Sequence, residues 1–105
     1  MLTIPLQPLP SQVVRTIVGN QSTTLTIRQL ADALYMTIEL DGKVILENVI
    51  CENANRIIRD AYFGFVGDFM FIDNSGDNGL PSEDPYFTGL GSQFTLLYLE
   101  VADLT

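Results

Sequence analysis

The sequence predicts an all-β fold: a compact antiparallel β-barrel or sandwich of about six or seven short strands, with one long loop over residues 73–92. Three observations carry that expectation. Leu34, Met36, Ile38 and Leu40 alternate with Tyr35, Thr37 and Glu39, the period of a strand with one buried face. Val, Ile and Thr dominate Gln12–Val18 and Gln21–Ile27, residues that suit a pleated surface. Gly-Asn, Asp-Gly and Pro/Gly-rich punctuation separates these runs, as turns between short strands require. With 105 residues the chain has enough length for one modest core and too little for two. Residues 1–105 are therefore read as a single β domain.

Taken in order, Pro5, Pro8 and Pro10 exclude a helix or a central strand at the start. Residues 1–10 read as a Pro-containing extended arm or an edge strand. Pro5-Leu6-Gln7-Pro8 has PxxP spacing but no closely flanking Arg, so a structural stretch is preferred to an SH3 ligand. Gly19-Asn20 joins the first two runs as a hairpin, and Gly in the first loop position suits a type II′ turn. Asp41-Gly42 joins the alternating strand to Lys43–Ile50. A two-residue loop there would pair Leu40 with Lys43 and Met36 with Glu47, placing charge on the buried face. A three-residue loop with a Gly42 bulge instead pairs Ile38 with Val44, Met36 with Leu46 and Glu39 with Lys43. The bulged turn is the expectation.

Residues 52–62 lack alternation and read as a structured crossover, with room for one helical turn. Phe69-Met70-Phe71-Ile72 lies between Asp68 and Asp73 and reads as a strand buried on both faces. The 73–92 segment, with Gly76, Gly79, Pro81, Pro85, Gly89 and Gly91, is long enough to be functional or disordered. Phe94–Val101 closes the chain as a last apolar strand.

Composition narrows the function. Five basic against thirteen acidic residues give a net charge of −8. Arg15, Arg28, Lys43, Arg56 and Arg59 are too few and too scattered to neutralise a phosphate backbone, which excludes nucleic acid bound through a basic patch. Anionic membranes are disfavoured on the same ground, no apolar run approaches the ~20 residues of a membrane-spanning helix, and Met1–Pro5 lacks the basic region of a secretory signal. Only 17% of residues are charged while 47% are hydrophobic. A small surface so poor in charge needs uncharged polar cover or partners, which favours assembly. The lone Cys51 has no internal disulfide partner, and Val49-Ile50-Cys51 reads as a buried small hydrophobe. Histidine is absent, which removes the usual general base, the commonest metal ligand and every Ser-His or Cys-His pair. No enzyme activity and no cofactor are expected.

The remaining motifs are weak. Asp73-Asn74-Ser75-Gly76-Asp77-Asn78-Gly79 starts like a calcium loop, but Asn78 stands where the EF-hand needs Gly and Asp84 where it needs Glu. A plain turn-rich loop accounts for the same residues. Glu83-Asp84, or Asp68 with Asp73, would serve glycosidase chemistry only across a cleft; solvated strand-end carboxylates are commoner. Gly64, Gly67, Gly89 and Gly91 lack the Lys and helix of a phosphate loop. Most aromatics belong to the core. Tyr86 and Phe87, which follow Pro85, and Leu90 of the same loop are the partner-contact candidates, with packing back over the end of the domain as the competing reading.

Three segments, in order, resemble one family. They are Ile4-Pro5-Leu6-Gln7-Pro8-Leu9-Pro10-Ser11-Gln12, then Tyr62-Phe63-Gly64-Phe65-Val66-Gly67-Asp68-Phe69-Met70-Phe71-Ile72-Asp73, and Asp84-Pro85-Tyr86-Phe87-Thr88-Gly89-Leu90-Gly91-Ser92-Gln93-Phe94-Thr95-Leu96-Leu97-Tyr98. Together they are similar to the phage baseplate plug family typified by a cyanophage contractile-tail baseplate plug protein. At Gln93 this chain departs from the resemblance, since the family often carries Arg there, and no salt bridge is expected from that position. The resemblance implies a structural virion protein, made in the host cytoplasm and placed in several copies in the tail baseplate. There it would bind the central hub, with the tail tube or spike as further contacts, and help close the tail lumen. It brings no catalytic motif. The alternative is a free-standing β domain whose 73–92 loop holds calcium or a sugar.

Overall fold

The computed structural model describes residues 2–59, 65–74 and 83–104. Seven strands follow one another: β1 (Leu2–Ile4), β2 (Ser11–Val18), β3 (Gln21–Leu30), β4 (Ala33–Leu40), β5 (Lys43–Cys51), β6 (Asp68–Asp73) and β7 (Phe94–Leu99). They form two antiparallel sheets, one ordered β2-β3-β4-β5 and the other β1-β7-β6. No strand pairing among the described residues closes the two into a barrel, so the arrangement is sandwich-like.

The four-stranded sheet is a meander of tight hairpins. Val18 pairs with Gln21 across Gly19-Asn20, and both loop residues have positive φ, 57° and 60°. That is the geometry of type I′, not the type II′ expected from Gly alone; Asn tolerates the left-handed region well enough to take the second position. Leu30 pairs with Ala33 across Ala31-Asp32, a loop without Gly or Asn in which Ala31 takes φ 36°.

The third hairpin corrects the expected bulged turn. Leu40 pairs directly with Lys43, and Asp41 and Gly42 both have positive φ, so the loop has two residues. The charge problem is solved farther along. Leu46 lies opposite Ile38 and Val49 opposite Met36, so β5 gains one residue on its partner at each of two irregularities. Asn48, at φ 51°, turns its backbone N–H onto Thr37 Oγ1 at 3.1 Å. Glu47 and Asn48 stay exposed while apolar residues regain the inner face. Two bulges within the strand do what one bulge at the turn was expected to do.

The core lies between the sheets. Leu25, Ile27, Leu34, Met36 and Ile38 of one sheet meet Phe69, Phe71, Phe94, Leu96 and Tyr98 of the other in one apolar cluster. Alternation puts the same parity of each strand inward. The crossover after β5 lies along the free side of β6, bridging Asn53 to Phe71 and Arg56 to Met70. Asp68 pins it: its buried carboxylate accepts the backbone N–H groups of Ile58 at 2.7 Å and Arg59 at 2.8 Å.

A second tie, at the same end of β6, joins the two sheets. Gln21 Nε2 donates to Val66 O and its Oε1 accepts the Val66 N–H. The Tyr98 hydroxyl donates to the same carbonyl at 2.6 Å. Phe65, Phe69 and Tyr98 stack beneath, with ring centroids 5.4 to 6.1 Å apart. Gly67, at φ +95°, lies against Tyr98 and the Leu99 carbonyl with no space for a Cβ.

Candidate interaction surface

The loop before β7 carries the aromatic pair singled out from the sequence. Pro85 is buried and turns the chain so that Tyr86 emerges, 43% exposed. Tyr86 is extended (φ −132°, ψ 146°), and a 3-10 turn follows over Phe87–Gly89. The Tyr86 and Phe87 rings lie 5.2 Å apart at 32°, within the range for offset aromatic contact. Phe87 packs partly against the core. Leu90 is 2% exposed and anchors the loop from inside. The three candidates are thus together in one loop, but they face different ways: Tyr86 outward, Phe87 across the boundary, Leu90 inward.

The loop is held from both sides. The Phe87 N–H donates to Gln29 Oε1 at 3.2 Å, tying it to β3. Gln29 Nε2 is buried with no hydrogen-bond partner, a cost of about 1–3 kcal/mol for an unsatisfied donor. The Gly89 and Leu90 N–H groups donate to Tyr86 O and Phe87 O. Gly91, at φ +84°, brings its backbone so close to the Leu6 carbonyl that a Cβ would meet it at 2.5 Å. The N-terminal arm therefore crosses directly over the end of the loop.

A polar network forms the base. Asp84 Oδ1 accepts the Asn53 N–H at 3.0 Å, and Asn53 Oδ1 accepts the Asp73 N–H at 2.8 Å. Asp73 Oδ2 accepts the Glu83 N–H at 2.8 Å. Gln93 Nε2 lies 3.3 Å from both Asp73 Oδ1 and Glu83 Oε2, so a neutral amide donor stands between two carboxylates. Asn74 Nδ2 donates to Ser92 O and Thr95 Oγ1. The sequence marks Asn74 only within the calcium-like motif and Gln93 only as a departure from the family, and it marks neither Gln29 nor Asn53 as a site residue. Isolated amides in polar segments give no periodic signal, and only the fold brings them together.

The carboxylates weighed for catalysis make structural hydrogen bonds: Asp68 to the crossover, Asp73 and Asp84 to the base of the loop. Cys51 is 1% exposed, and burial pushes its thiol up to about 12, so it stays protonated and weakly nucleophilic. Among the described residues no three His, Cys, Asp or Glu side chains gather as metal ligands, and no helix is long and apolar enough to cross a membrane. The calcium-like positions Ser75 to Gly79, and the aromatics Tyr62 and Phe63, lie outside the described residues.

Comparison with known proteins gives one family. The family model described as cyanophage baseplate Pam3 plug gp18 matches residues 1–101. No curated protein matches the chain.

Proposed function

The chain belongs to the cyanophage baseplate plug family, which makes it a structural protein of the virion tail baseplate, and from that premise we propose that it binds the central hub and helps to close the tail lumen. In this reading Tyr86 is the anchor of the contact. A half-exposed aromatic on a turn already fixed by Pro85, Leu90, Gln29 and Gly91 loses little conformational freedom on docking. Phe87 supports its ring, and Leu90 holds the loop to the core. The contact is binding without turnover, and the protein acts as a non-catalytic part. The family match over nearly the whole chain carries the reading; the braced aromatic loop supplies the surface.

Co-expression with the hub protein encoded in the same genome tests it. The expected result is a complex that survives size-exclusion chromatography. Tyr86→Ala should weaken it about thirtyfold, the effect of losing a hot-spot side chain worth ~2 kcal/mol, while leaving the melting temperature almost unchanged. Absence of a complex with hub, tube and spike proteins alike would sink the proposal. A tight complex indifferent to Tyr86→Ala would remove the loop from it.

A further inference from the structure

Among the described residues three of the four sheet edges are blocked and one is open. β1 offers only three residues. The free side of β6 is covered by the crossover through its bridges at Phe71 and Met70. β5 is broken by two register shifts. β2 differs from all three. It runs eight residues in unbroken register against β3, from Ser11 opposite Arg28 to Val18 opposite Gln21, with no proline, no bulge and one charge. Natural edge strands are normally shortened, bulged, charged or covered against pairing with another chain; among the described residues β2 has none of these protections beyond the single charge of Arg15.

The direction of its free groups follows from the hairpin. Val18 and Gln21 flank a two-residue loop, so they form a hydrogen-bonded pair, and pairs alternate along the ladder. Thr16, Val14 and Gln12 then bond to β3, while the N–H and C=O groups of Val13, Arg15 and Ile17 point away from it. The Gln29 N–H bond to Pro10 O at 2.8 Å continues the same alternation. Val13 is 52% and Ile17 75% exposed. Beside Ile17 opens a groove of about 500 Å³, lined by Leu2, Val18, Val66, Tyr98, Val101 and the acidic Glu100, so the part of a ligand that enters it is apolar rather than charged.

Charge indicates the occupant. All thirteen acidic residues fall at or after Asp32, whereas Arg15 and Arg28 are the only charged side chains before it. Both are exposed, and register and pleat place them on one face of the β2-β3 hairpin. We propose that β2 accepts an extended acidic segment of a partner protein as a fifth strand of the sheet, its acidic side chains on the face of Arg15 and Arg28 and its alternate, apolar side chains on the opposite face, toward the groove at the Val18 end of the strand. Main-chain bonds supply the affinity and alternate side chains the selectivity, as in strand addition generally. A second copy of this chain is a poorer occupant, since two copies meeting along β2 would bring their Arg15 and Arg28 side chains together. This site is separate from the Tyr86 loop.

The test uses the full chain and a blocked synthetic octapeptide alternating Glu and Val, with a Lys-Val octapeptide as control. Amide hydrogen exchange is followed residue by residue. The expected result is at least tenfold slower exchange at Val13, Arg15 and Ile17 with the Glu-Val peptide and little change with the Lys-Val one. Val13→Pro removes an outward N–H without touching the β3 ladder and should abolish the effect. Arg15→Glu, a surface change compatible with the fold, should weaken it about fivefold. Protection at another edge, or none, would overturn the proposal. Slow exchange at the same amides without peptide, rising with protein concentration, would overturn it in favour of a second copy.

Discussion

Replacing Asp68 by Ala should cost this protein a large part of its stability. The carboxylate is 2% exposed and accepts the N–H groups of Ile58, Arg59 and its neighbour Phe69 at 2.7 to 2.8 Å. Phe69 lies opposite Tyr98 in β7, but its carbonyl accepts the Ile57 N–H on the crossover side, so its N–H also faces away from β7. None of the three N–H groups has a ladder bond to fall back on. Three donors left without an acceptor cost about 1–3 kcal/mol each, giving at least roughly 3–4 kcal/mol against a net stability of ~5–15 kcal/mol for a domain. At ~4–8 °C per kcal/mol in a small domain, the melting temperature should fall by more than 10 °C. Asp68→Asn keeps one acceptor oxygen but points an NH₂ at the other N–H, so it should fall between the two. Urea unfolding reads the effect as a lower midpoint at constant slope, and exchange of the Ile58 and Arg59 amides should accelerate first. A loss under about 1 kcal/mol, or unchanged exchange at both amides, would refute the argument that Asp68 holds the crossover over β6.

Three further outcomes follow from the same geometry. Gly67→Ala should destabilise by about 3 kcal/mol, since positive φ and overpacking each cost ~1–3 kcal/mol and its Cβ would meet Tyr98 Oη at 2.6 Å; thermal denaturation reads this, and a neutral variant would contradict the packing described. Gln93→Arg places a cation between Asp73 and Glu83, so Tm should rise by a few degrees at low salt and less at high salt, because exposed ion pairs give up to about 1 kcal/mol and are screened; a salt-independent change would be wrong for this cause. Stability should fall as pH rises above 9. Burial raises Cys51 from 9.0 to about 12, and burial together with Glu100 raises Tyr98 above 10.0. The unfolded chain therefore releases protons that the folded chain keeps, and each such group costs about 1.4 kcal/mol per pH unit until its folded pKa is reached. Cys51→Ala should flatten the first part of that decline, measured as urea midpoint against pH.

Much of the fold was legible because it rests on local pattern. Alternation over Leu34–Leu40 and the Gly19-Asn20 and Asp41-Gly42 loops gave two hairpins at their observed positions. Turn type was legible only in part, since it depends on both loop residues and on strand twist. Ala31-Asp32 carries no turn signal, and its hairpin exists because Leu30 and Ala33 are brought together by the pairing on either side. The bulges in β5 satisfy a constraint set by β4 and the core, so β5 alone could not reveal them. At the Tyr86 loop the sequence marked the aromatics but not their orientations. Pro85 and Leu90 turn inward and Tyr86 outward through contacts with Gln29 and the arm at Leu6, far away in sequence.

A reconstruction of the virion baseplate at a resolution that traces strands tests the central claim directly. The account predicts this sandwich on the central axis, in contact with the hub, with the Tyr86 ring buried at that contact and the lumen narrowed by the chain. Density for it only at the baseplate periphery, or a mature tail that lacks it, would contradict the account.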